Sequence, residues 1–305
     1  MNKSQLCHVC LSSSDEVMFR SDADLRMGFN CLAAAVLSTE SQLLAEGFMT
    51  THYHGLLITH NLKQVVRRHR YAYSRYFNTK YYRSGRLGEK HFFCLEIGGL
   101  YHTLSALNYV NRQGLHHGLA ATPFGYKHCS ANSFFRSDLG KDLTPELLPD
   151  EERYKHLPSN VKIPYKYRMS KEGLLLREDI IDVPYVEHLY TSPKSFLFQM
   201  NKASDENDLR NQQNESDKPA ITIDAIEMGV PGFTAKEAKM AEFGKVNRSM
   251  MSDIELCTYI DNELVPSILK GHQEASIYLI PEYKRAELCE SLWNESKQVN
   301  WRNDC

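Results

Sequence analysis

The sequence predicts an α+β protein: a ferredoxin-like or palm-type antiparallel sheet with helices on one face, followed by a mainly helical C-terminal region. Three observations carry this expectation. Strand and helix signals alternate through residues 1–130 in the order strand, helix, strand, strand, helix, strand, helix, which an antiparallel sheet accommodates most economically. Residues 219–305 carry helical signals. The 305 residues, 42% hydrophobic and 24% charged, have the balance of a folded chain able to bury a core.

Taken in order, residues 6–11 form a short apolar segment that reads as a strand. Ser21 can cap a helix over residues 22–37, in which Leu25, Phe29, Leu32 and Val36 recur at helical spacing. Residues 43–49 and 55–59 read as two strands flanking the segment 50–54. Asn61 then supplies a cap, and Gln64 three residues on completes a capping-box pattern. Along the helix that follows, Leu62, Val65, Val66, His69, Tyr73 and Phe77 share a face with Tyr76, while Lys63, Arg67 and Arg70 form a basic stripe on another. Residues 91–97 read as a fourth strand broken by Gly98-Gly99, and residues 100–113 as a helix ended by Gly114.

Beyond Ser133 the periodicity weakens. Residues 138–167 are rich in proline and charge, and residues 201–218 are polar and acidic, as in a linker. Thr234 and Glu237 match a capping box, with further helices expected near residues 252–270 and after Pro281. The expected organisation is therefore a first domain at 1–135, an irregular connecting region and linker at 136–218, and a helical region at 219–305.

No apolar run approaches the ~20 residues that cross a bilayer, and residues 1–15 lack the basic and apolar stretches of a secretion signal, so a cytoplasmic protein is expected. The eight cysteines follow no disulfide framework. Cys7 and Cys10 have the spacing of a zinc half-site, but no second such pair exists and both fall in the first strand, where packing is the simpler expectation.

The net charge of -2 hides an asymmetry: residues 1–140 hold 15 Lys+Arg against 9 Asp+Glu, and the remainder is acidic. Within residues 61–90, nine basic side chains, among them Arg75, Arg83 and Arg86, interleave with Tyr71, Tyr73, Tyr76, Phe77, Tyr81 and Tyr82. Basic groups neutralise phosphates and aromatic faces stack on unpaired bases, so the mixture suits single-stranded or hairpin nucleic acid. A solvated helix face with an aromatic underside is the competing reading.

His52-Tyr53-His54 is the sharpest local feature. In an extended chain residues i and i+2 leave the same face, so both imidazoles could meet one divalent cation. On the helix over 100–113, Leu100, Leu104 and Leu107 form one side and Tyr109 falls about opposite, with Gln113 one turn later and His102 on the same face. Tyr109 is thus expected to point away from the buried side, with Gln113 beside it.

Together these segments resemble the HUH single-tyrosine transposases, and especially the REP-associated tyrosine transposases. The resemblance rests on residues 48–58 around His52-Tyr53-His54, on residues 72–78 with 83–87, and on residues 107–113 followed by Gly118-Leu119. It spans about residues 1–135. It implies that His52 and His54 are metal ligands, that Tyr109 is the nucleophile, and that Gln113 is the amide-bearing third ligand; family members usually show Asn-Pro where this chain has Gln113-Gly114. The implied cofactor is Mg2+ or Mn2+. The implied reaction is nicking and transfer of single-stranded or hairpin DNA through a 5′-phosphotyrosine intermediate, and a homodimer is expected by analogy. On this reading Lys63, Arg67, Arg70, Arg75, Arg83 and Arg86 track the DNA backbone. Two other readings stay open at this point: a non-catalytic hairpin or single-strand binder with a C-terminal interaction region, and a structural zinc protein using His52, His54 and cysteines.

Overall fold

A computed structural model describes residues 4–201, apart from 14–15, 117–118, 121, 142–144 and 160, together with 210–211 and 214–215. Nearly all of these belong to the first of two compact units, 1–14 with 18–231; the second, 15–17 with 232–305, falls almost wholly outside the described residues. The C-terminal helices expected from the sequence lie there.

The elements are β1 (Gln5–Ser12), α1 (Asp22–Leu37), β2 (Gln42–Phe48), β3 (His52–Thr59), α2 (Leu62–Lys80), β4 (Phe93–Ile97), α3 (Leu100–Asn111), α4 (Gln113–His116), α5 (Arg177–Ile180), α6 (Val183–Tyr190) and α7 (Pro193–Asn201). The four strands pair antiparallel in the order β2-β3-β1-β4, the ferredoxin-like arrangement of a β-α-β-β-α-β chain. Both crossover helices start where the sequence marks a cap: the Ser21 hydroxyl accepts from the Asp24 amide at 3.3 Å, and the Asn61 side chain from the Gln64 amide at 3.1 Å.

Alternation along β3 separates two faces. Tyr53 packs against Phe48 and against His69 of α2, so this face lies under α1 and α2. His52 and His54 leave the other face, which α3 covers. The first two helices share one face as the sequence predicts, and the third closes the opposite one. β3 also begins earlier than expected: the histidines lie in the strand, paired with Ser12 and Cys10, and the turn is confined to residues 49–51.

Most of the aromatic side chains in residues 61–90 build the joint between α1 and α2. Buried Asp24 accepts hydrogen bonds from Tyr76, Tyr81, Lys80 and the Arg20 amide, and the Tyr73 hydroxyl donates to the Met18 carbonyl at 2.7 Å. Only Tyr71 and Tyr82 of that group are exposed. Cys7 and Cys10, three apart in β1, leave opposite faces and so cannot grip one ion.

Residues 145–201, expected as an irregular connection, fold onto the sheet domain. Asn30 of α1 donates to the His156 and Gly173 carbonyls and accepts from the Leu175 amide. Arg177 reaches 131 residues back to buried Glu46. Phe196 packs among Phe124, Phe134, Phe135 and Tyr190. Neither proline content nor charge signalled this docking, because the partners are distant in sequence. Among the described residues no helix is long and apolar enough to cross a membrane.

Candidate active site

Three histidines line up on the α3 side of the sheet. His54 stacks on His8 with ring centroids 5.2 Å apart, and His52 meets His54 at 5.0 Å, nearly perpendicular. Their arrangement follows from register: β1 and β3 are antiparallel neighbours, His8 pairs opposite Leu56 and Cys10 opposite His54, so His8 sits diagonally beside His54 on one face. His8 was not among the residues that sequence singles out. A lone histidine in an apolar strand carries no local signal, and its partner lies 46 positions away.

The hydrogen bonds orient these rings. His8 Nε2 and His54 Nδ1 are 3.2 Å apart, and His52 Nδ1 is 3.0 Å from the Thr51 hydroxyl. With Nδ1 engaged in both, Nε2 is the nitrogen that His52 and His54 would present to a cation, the division of labour common to metal-ligating histidines. Burial pushes the His8 imidazole down to about 3, which keeps it neutral beside His54.

Tyr109 comes to this cluster. Its ring meets His54 edge-on at 5.0 Å and His8 at 5.9 Å, and the residue is 8% exposed. The expectation that Tyr109 points away from the buried side is therefore corrected. The helix wheel misleads because α3 is buried on two sides: one faces the sheet, and the other faces the chain that ends in α6, where the Tyr190 hydroxyl donates to Asn108 Oδ1 at 2.7 Å. Leu100, expected in the core, is about half exposed. The sheet-facing side consists instead of His102, Ala106, Tyr109 and their neighbours, all buried.

Glycine lets α3 come this close. Gly47 of β2 pairs opposite His54, and a Cβ there would sit 3.1 Å from the Val110 carbonyl and 3.6 Å from Cγ of Gln113. Gln113 is buried, and its amide nitrogen donates to the Tyr109 carbonyl at 3.2 Å. α3 stops at Asn111 rather than at Gly114. Gly114 lies inside α4, where a Cβ would collide with Tyr126, so this glycine serves close packing rather than termination. The Ser130 hydroxyl donates to Asn111 Oδ1 and accepts from the Glu46 amide, fastening the end of α3 to β2.

The start of α3 is held by a residue from the polar stretch expected as a linker. Gly99, at φ 86°, has no side chain to cap the helix; the Glu215 carboxylate accepts from the Leu100 and Tyr101 amides at 2.7 Å each. His102 is buried one turn further on, with Nδ1 3.5 Å from the Gly98 amide.

The donor set fits a divalent cation that accepts imidazole nitrogen together with an amide oxygen, a preference Mn2+ shares more readily than Mg2+. Among the described residues no group of three or more His, Cys, Asp or Glu side chains is arranged to hold a metal.

The basic residues do not form one surface with this site. They lie on α2, across the sheet from Tyr109, or in the loop after it. Lys63 and Arg67 are exposed on α2. Arg70 donates to the Lys90 carbonyl, Arg83 to Asn78 Oδ1 and the Arg86 carbonyl, and Arg86 to the Gly88 carbonyl, so these three brace the loop between α2 and β4. That loop reaches the histidine end of the sheet, where the Glu89 amide donates to the Ser12 carbonyl and Ser12 pairs with His52. Arg75 lines a separate cleft between α1 and α2.

No family model matches the chain, and no curated protein matches it. A solved structure described as a REP-associated tyrosine transposase bound to a REP hairpin is similar over 47% of this chain and 84% of its own, at 11% identity and a TM-score of 0.38.

Proposed function

We propose that this chain is a metal-dependent nickase and strand transferase for single-stranded or hairpin-bearing DNA, with Tyr109 as nucleophile. The observation that carries the reading is the meeting of the Tyr109 ring with His54, 5.0 Å between centroids, in a buried cluster that also holds His52, with Gln113 buried one turn further along and bonded to the Tyr109 carbonyl. Residues 55 apart in sequence, singled out for the same chemistry, share one side of one sheet.

His52, His54 and Gln113 would hold Mg2+ or Mn2+. A cation there would supply positive charge to a non-bridging oxygen of the scissile phosphate. The Tyr109 oxygen attacks phosphorus in line, forming the P–O bond to tyrosine and breaking the P–O3′ bond. The phenol loses its proton, the departing 3′ oxygen gains one, and the DNA keeps its phosphodiester energy as a 5′-phosphotyrosine. A 3′ hydroxyl on another strand reverses the step, so joining requires no ATP. Asn108 and Gln113 position the nucleophile: one ties its helix to Tyr190, the other bonds its carbonyl.

Incubation of the full chain with labelled hairpin DNA and Mg2+ or Mn2+ tests the reading. A covalent adduct that Tyr109→Phe abolishes and EDTA prevents is expected. Salt-sensitive binding with no adduct under either metal would favour the non-catalytic binder instead.

A further inference from the structure

We propose a second nucleic-acid contact, remote from Tyr109: a cleft between α1, α2 and residues 154–162 that takes single-stranded nucleic acid. The cleft has a volume of about 1090 Å³, just above the ~300–1,000 Å³ usual for small-molecule pockets, so it has room for successive units of a chain. Its floor is apolar, built from Met27, Cys31, Ala34 and Ala35 of α1. Its walls carry Arg68, Arg75, Lys80, Lys155 and Lys162, and no acidic side chain lines it among the described residues.

Three of those cations are already engaged. Lys80 pairs with buried Asp24 at 2.9 Å, Lys155 with Glu152 at 3.0 Å, and Arg68 donates to the Ser38 carbonyl. Arg75 and Lys162 make no hydrogen bond or ion pair among the described residues, which fits them for phosphate oxygens. Beside them Tyr71 and Tyr154, 66% and 72% exposed, offer ring faces that the fold leaves in water. Cations for phosphates alternating with open aromatic faces over an apolar floor match a strand whose bases are unpaired and can stack. A duplex keeps its bases inside and gains only the charge. Because α2 lies across the sheet from Tyr109, a strand bound here is not the one at the candidate active site, and this contact does not depend on the proposed reaction.

Fluorescence anisotropy of labelled oligothymidine with the full chain in EDTA reads this contact without cleavage. Arg75→Glu with Lys162→Glu is expected to weaken binding about tenfold or more, and Tyr71→Ala to weaken it by a similar factor that Tyr71→Phe restores. Tyr109→Phe is expected to bind as the native chain does, which keeps this test apart from that of the reaction. Circular dichroism identifies a variant that fails to fold, in which case Tyr154→Ala, at an exposed side chain, replaces it. Native affinity in the charge-reversed variant, equal loss in Lys194→Glu off the cleft, or equal competition by duplex DNA would each overturn the proposal.

Discussion

At the scale of single residues, His8 is the consequential finding. Its ring nitrogen meets Nδ1 of His54 and so leaves Nε2 as the nitrogen that His54 would turn toward a cation. His8→Phe keeps the stacked ring and removes that bond. If the imidazole cluster binds Mn2+, calorimetric titration should show affinity about 10- to 100-fold weaker in His8→Phe, the usual effect of losing such a partner. Unchanged affinity would reduce His8 to packing. Gly47 is the second telling position. Its substitution by alanine places a methyl 3.1 Å from the Val110 carbonyl, a backbone atom that gives only if α3 moves. Gly47→Ala should therefore lower adduct formation more than it lowers the melting temperature, and the reverse order would show that α3 is not held closely there. His52, His54, Tyr109 and Gln113 could be singled out from sequence because their residue types and spacings, taken with the family resemblance, suggest one chemistry. His8 and Gly47 were not, since each acquires meaning only from the strand or helix opposite.

At the scale of elements, α3 carries the proposed nucleophile and is buried from both sides. The sequence pattern could mark a helix but could not choose between two buried faces, which is why Tyr109 was expected to point the wrong way. The starts of the crossover helices were read from sequence, because Ser21 and Asn61 announce them; α2 keeps one buried face, whereas α1 is buried all round from Met27 to Val36. Docking of residues 145–201 was invisible, and it includes one costly contact. Glu46 and Arg177 are both buried, with the guanidinium 4.5 Å from the Phe29 ring; burial raises the Glu46 carboxyl while Arg177 opposes that shift. Arg177→Leu leaves a buried carboxylate without its partner and should cost about 3–5 kcal/mol in urea unfolding. A second change, Glu46→Leu, should recover most of that loss; a double variant no more stable than the single one would mean that Arg177 acts through packing instead.

For the molecule as a whole, buried neutral histidines tie stability to pH. Burial lowers His69 to about 3, and burial with nearby Arg177 lowers His128 to about 4 despite its bond to Asp22. Both folded values lie below the ~6.5 of an unfolded histidine, so the unfolded chain takes up protons first as acid is added. Stability is therefore full above about pH 6.5 and falls below it, down to about pH 4 for His128 and pH 3 for His69, by as much as ~1.4 kcal/mol per pH unit for each proton. His128→Gln should flatten that decline in chemical unfolding between pH 6.5 and 4; an equal slope would assign it to other groups. The whole-molecule pattern was half legible in sequence. Strand and helix order gave the ferredoxin-like sheet, whereas the charge asymmetry pointed to one polyanion surface. The basic residues instead divide between a loop brace, an exposed helix face and a cleft across the sheet from the tyrosine, because a 19-residue helix turns its side chains through every direction.

The most direct test of the central claim is to map the covalent bond. After reaction of the full chain with hairpin DNA and Mn2+, nuclease and protease digestion followed by mass spectrometry should find a nucleotide on the peptide containing Tyr109, dependent on His52 and His54. A nucleotide attached to another tyrosine, or an adduct that forms equally in His52→Ala with His54→Ala, would contradict it.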